Sequence, residues 1–78
     1  MVNKAEDFVT QVKKIVGDKF DVEVAELSGS LKVKKNDKII FRIFKSMVAG
    51  DFIVRLDSKD HNVLAKKVAD ELGIGFVD

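Results

Sequence analysis

Apolar residues recur along this chain at two spacings, and the changes between them mark out six elements. Ala5, Phe8, Val9, Val12, Ile15 and Val16 follow the i, i+3, i+4, i+7 spacing of one helical face. Asn3 and Glu6 stand as in a capping box, and Gly17 is a suitable stop. This predicts a first helix over about residues 4–16. Phe20, Val22 and Val24 then alternate with Asp21, Glu23 and Ala25, the period-two pattern of a half-buried strand. Leu31 and Val33 alternate with Lys32 and Lys34 in a second strand, after a turn at Ser28-Gly29. A two-residue turn there would set Glu23 opposite Lys34 and Val24 opposite Val33.

Lys35-Asn36-Asp37 is the next turn, because Asn and Asp tolerate left-handed backbone. A three-residue loop pairs Val33 with Ile39 and Leu31 with Phe41. A two-residue loop would set Val33 against Ile40 and send Phe41 outward, so the longer loop is expected. The third strand spans Lys38–Lys45, and Ser46–Asp51 turns the chain, with Met47 and Val48 expected over the core edge. Phe52, Val54 and Leu56 alternate with Ile53 and Arg55 in a fourth strand, with Phe41 opposite Leu56, Phe44 opposite Ile53 and Arg42 opposite Arg55. Asp57 and Ser58 are N-cap residues for a second helix over about residues 59–72, with His61, Leu64, Ala65, Val68 and Leu72 on one face. Gly73 ends it, and the apolar tail Ile74–Asp78 is expected to dock.

The predicted fold is an α+β two-layer sandwich of α-β-β-β-β-α order. Four antiparallel strands form a meander, and both helices lie on one face of it. The covered face carries Phe20, Val22, Val24, Leu31, Val33, Phe41, Ile43, Phe52, Val54 and Leu56. The bare face carries Asp21, Glu23, Ala25, Lys32, Lys34, Ile40, Arg42, Phe44, Ile53 and Arg55. In element order alone, this arrangement resembles several small two-layer domains, among them the amino-terminal domain of TfoX-like competence regulators. That implies nothing about function.

Composition narrows the function classes. The length of 78 residues suits a single domain, 1–78. Charged residues reach 35%, yet the signs cancel to a net +1, so the overall field does not drive the chain onto nucleic acid or an anionic membrane. The chain contains no cysteine, which removes thiol chemistry and Cys-ligated metals and suits a cytoplasmic setting. Charges recur throughout, so no membrane span or signal peptide is expected.

The leading expectation is a non-enzymatic interaction module that uses the bare face. Ile40, Arg42, Phe44, Ile53 and Arg55 form its interface, with a protein partner or a second copy of the chain as a homodimer. The alternative is nucleic-acid binding through a basic hairpin, with contacts from Lys32, Lys34, Lys35, Lys38, Arg42 and Arg55. Against it stand the net charge, the lack of tyrosine and tryptophan, and the lack of a glycine–aromatic motif of the RNA-recognition type. No catalytic residue, metal ligand or cofactor is expected. His61 is the lone histidine and its neighbour Asp60 suits the helix dipole, while Ser28-Gly29-Ser30 reads as a turn.

Overall fold

The computed structural model describes residues 8–25, 29–48 and 50–78. The chain folds as a small α+β structure with two helices and a five-stranded mixed sheet. Helix α1 is Val9–Val16, and the capping box at Asn3 and Glu6 lies outside the described residues. Strands β1 (Asp21–Ala25), β2 (Ser30–Lys35), β3 (Lys38–Lys45) and β4 (Phe52–Leu56) form the antiparallel meander. Helix α2 is Asn62–Leu72, entered through one 3-10 turn at Lys59–His61.

The expected four-stranded sheet is extended by a fifth strand, β5 (Gly75–Val77), which pairs in parallel with β4. A parallel neighbour needs a crossover, and α2 supplies it. At the end of α2, Gly73 is left-handed; its N–H donates to the Asp70 carbonyl, and the Ile74 N–H donates to that of Ala69. This Schellman arrangement stops the helix and turns the tail back onto the sheet. The tail therefore docks as a strand and makes the sheet mixed.

Phe8, Val12 and Val16 of the first helical segment and Ala65, Val68 and Ala69 of α2 are buried in one cluster. The inward residues Leu31, Val33, Phe41, Ile43, Phe52, Val54 and Leu56 complete it. Phe8 meets Phe52 edge to face, with ring centroids 5.4 Å apart. Among the described residues no helix is long and apolar enough to cross a membrane.

Three local expectations need correction. First, Ala25 pairs with Ser30, so Glu23 faces Lys32 and Val24 faces Leu31, two residues away from the expected register. A two-residue slip leaves every side chain on its face, so alternation cannot detect it. Second, the β2–β3 turn has two residues, not three: Asn36 and Asp37 are both left-handed, and Lys35 pairs with Lys38. Two consecutive left-handed residues match the twist of a tight hairpin. Third, Met47 and Val48 are 98% and 99% exposed rather than packed on the core. Hydrogen bonds from Ser46 N–H to the Asp51 carbonyl and from Gly50 N–H to the Ser46 carbonyl close the loop on itself, which leaves its tip outside.

The tight β2–β3 turn would send Phe41 outward if pairing were regular. A β-bulge prevents this. Lys34 pairs with Ile39 and Val33 with Phe41, which leaves Ile40 as the extra residue. Ile40 is 2% exposed, so it belongs to the core and not to the expected outer-face interface. Ile40 and Phe41 are therefore consecutive buried residues, and strict alternation resumes only beyond them.

The bulge makes neighbouring isoleucines unequal. Ile40→Ala should lower stability by about 2–4 kcal/mol, whereas Ile39→Ala, at a half-buried site, should cost under about 1.5 kcal/mol. Urea unfolding midpoints check this, and equal losses would contradict the bulge.

Candidate functional site: the outer face of the sheet

No described element covers the face opposite the helices. Strand pairing arranges its side chains in rows that cross the strands. One row runs Glu23, Lys32, Arg42, Arg55, Val77, each paired with the next. The adjacent row holds Phe44, Ile53 and Gly75 in the same way. Neighbouring strands are about 4.8 Å apart, and rows two residues apart are separated by about 7 Å. A cationic row thus lies beside an apolar one.

Ser30, Lys32, Arg42, Phe44, Lys45 and Arg55 line a shallow depression of about 470 Å³ on this face. Four of the six are cationic and none is acidic. Phe44 and Ile53 are half-buried and Arg55 is exposed. Gly75 keeps its end of the apolar row low, because a Cβ there would lie 3.2 Å from Ile53 Cγ2.

Arg42 and Arg55 are directly opposite, as expected, and like charges in that relation repel. The structure relieves this through Asp57, a residue whose position in the sequence suits a helix cap. Asp57 takes a bidentate pair from Arg42: Nε donates to Oδ2 at 2.9 Å and the terminal nitrogen to Oδ1 at 3.0 Å. Asp57 is held in place by the bulge, since its N–H and that of Ser58 both donate to the Ile40 carbonyl. Asp57 therefore orients Arg42 instead of capping α2. Ser58 makes no capping hydrogen bond either, and its hydroxyl meets His61 Nδ1 at 3.1 Å.

The structure splits the expected interface and the expected basic set. Arg42, Phe44, Ile53 and Arg55 share the outer face, and Ile40 leaves it for the core. Of the six basic residues, Lys32, Arg42 and Arg55 converge, joined by Lys45 at the strand end. Lys34 is committed to Glu23, with Nζ 2.7 Å from Oε2. Lys35 lies over the Phe20 ring, 5.5 Å from its centroid. Lys38 lines a separate depression with Asp57, Asp60 and His61. Row membership was the missing signal, and it needs the β2–β3 register, which alternation left ambiguous.

Among the described residues no carboxylate pairs with the imidazole of the Ser58–His61 contact. His61 instead packs edge to face on Phe20, 5.8 Å between centroids. Among the described residues no group of three or more His, Cys, Asp or Glu could hold a metal ion. Comparison with protein-family models, with curated proteins and with solved structures returned no match.

The Lys34 hydrogen bond, reinforced by its charge, lowers the Glu23 carboxyl below its ordinary range, and Glu23 raises Lys34 in return. A depressed carboxylate contributes stability above its unfolded pKa and loses it as pH falls through the folded value. Glu23→Gln should therefore flatten the acid limb of the stability profile, by a small amount at so exposed a site. An unchanged acid limb would contradict the pairing. For the Arg42–Asp57 pair, a double-mutant cycle with alanine should give a coupling of about 0.5–1 kcal/mol that shrinks in high salt. Zero coupling would mean that Asp57 does not hold Arg42.

Proposed function

We propose that this chain is a non-enzymatic interaction module that works through the outer face of its sheet. The observation that carries this reading is the cationic row beside the apolar row on a face left bare by both helices. Arginine interleaved with aromatic and aliphatic groups is typical of contact surfaces. The binding residues are Lys32, Arg42, Phe44, Lys45, Ile53 and Arg55.

The charge of the face bears on the partner. A second copy of the chain docked symmetrically would set the patch against itself, because residues near a twofold axis meet their own counterparts. With four cations around Phe44, self-pairing brings like charges together. An anionic partner avoids that cost, so we rank it above the homodimer.

Retention on immobilised heparin tests this reading. Lys32→Glu with Arg55→Glu removes cations from the face, and Lys66→Glu with Lys67→Glu makes the same charge change on exposed positions of α2. The first variant should elute at much lower salt than the wild type, and the second close to it. Equal losses would show that overall charge, not this face, governs binding. Light scattering at high concentration should give a monomer, and a dimer abolished by Phe44→Glu would restore the self-pairing reading.

A further inference from the structure

Resting on the proposed role of this face, we propose that its partner is a single-stranded nucleic acid, with phosphates along the Lys32–Arg42–Arg55 row and a base on Phe44. The two-row layout carries the argument. A ligand that satisfies both rows must present a line of negative charge beside a line of flat apolar surface. A single strand has that construction, with phosphates along one edge and unpaired bases along the other. An acidic peptide supplies the charge but no regular apolar face. A duplex supplies the charge but keeps its bases stacked and inaccessible to Phe44.

The details of the face suit such a strand. The rows cross the strands of the sheet, so the nucleic acid would run across β2, β3 and β4. Lys32, Arg42 and Arg55 are one strand spacing apart, which gives a cation every 4.8 Å or so. Asp57 fixes the Arg42 guanidinium through two of its nitrogens, which preorganises the row. Phe44 lines the depression directly, and Ile53 extends the apolar row toward Gly75. A sheet-borne phenylalanine tolerates any base, because every base has a π-face, so little sequence preference is expected.

Fluorescence anisotropy with a labelled twelve-residue oligothymidylate, and the same length of oligouridylate, tests the proposal on the full chain. The affinity should fall with salt at a log–log slope of about −2, since single strands lose about 0.7 per cation neutralised and the row holds three. Phe44→Leu should weaken oligonucleotide binding about tenfold or more, the scale of a lost stacking contact. Its heparin retention should fall far less than its oligonucleotide binding. Its thermal unfolding midpoint, and that of the milder Phe44→Met, guard against a folding defect. Lys35→Gln with Lys38→Gln, away from the row, should bind like the wild type.

Four outcomes would overturn the inference. If Phe44→Leu binds the oligonucleotide normally and inorganic polyphosphate competes equally well, the face recognises charge alone. If the oligonucleotide does not bind while heparin retention still depends on Lys32 and Arg55, the face is a site for some other anion. Vesicles containing phosphatidylserine are the relevant third probe, since the exposed Met47 and Val48 tip could enter a bilayer. Vesicle binding lost in Met47→Ser, with no oligonucleotide binding, would replace the nucleic acid by a lipid surface. If neither oligonucleotide nor heparin binding depends on the face, the proposed role of the face falls with the inference.

Discussion

The bulge at Ile40 is the constraint on which the rest of the structure depends. The two-residue turn at Asn36-Asp37 sets the phase of the hairpin, and that phase is wrong for Phe41. Inserting one unpaired residue corrects it. The correction has three consequences. It sends Ile40 into the core and keeps Phe41 and Ile43 there. It puts Arg42 and Phe44 on the outer face, in line with Lys32 and Ile53. It also frees the Ile40 carbonyl to accept from Asp57 and Ser58, which fixes the start of the α2 segment and brings Asp57 to Arg42. One irregular residue thus links core packing, helix placement and the geometry of the surface patch.

The second organising feature is the split between the two faces of the sheet. The helix side holds the large buried side chains, Phe41, Leu31 and Ile43 foremost. The other side keeps its charges in contact with water and pairs only some of them. Glu23 takes Lys34 and Asp57 takes Arg42, while Lys32, Arg42, Lys45 and Arg55 line the depression on this face. A small chain with no cysteine must gain its stability from one core, so a half-apolar outer row is a cost. An anionic ligand with flat apolar surface would offset that cost.

Much of this was legible in the residues, and what was not has physical causes. The β3–β4 register was readable because β4 and the Phe41–Lys45 part of β3 alternate and each fixes the other. The β2–β3 register was not, because Ile39-Ile40-Phe41 is a continuous apolar run with no phase of its own. A longer loop would also keep Phe41 inside, and the chain reaches the same end by a short turn and a bulge. The β1–β2 register missed by two residues, a shift that leaves the apolar pattern unchanged, and Glu23 still reaches Lys34 along the diagonal. Strand β5 is three residues long and begins at a glycine, too short for periodicity to declare it. Alternation alone puts Arg42, Phe44, Ile53 and Arg55 on the outer face, where the strand pairing has them. Ile40 was misplaced by the bulge, and Asp57 was missed because its partner lies 15 residues away on another strand.

Amide chemical-shift mapping during a titration with oligothymidylate tests the account most directly, because it locates binding without altering the protein. The account predicts perturbations concentrated on the outer-face positions of residues 30–32, 42–45, 53–55 and 75–77. Residues 35–38 of the hairpin tip and the exposed side of α2 should stay unmoved. Perturbations centred on the hairpin tip, or spread evenly over all the lysines, would mean that the row set up by the Ile40 bulge is not the binding surface.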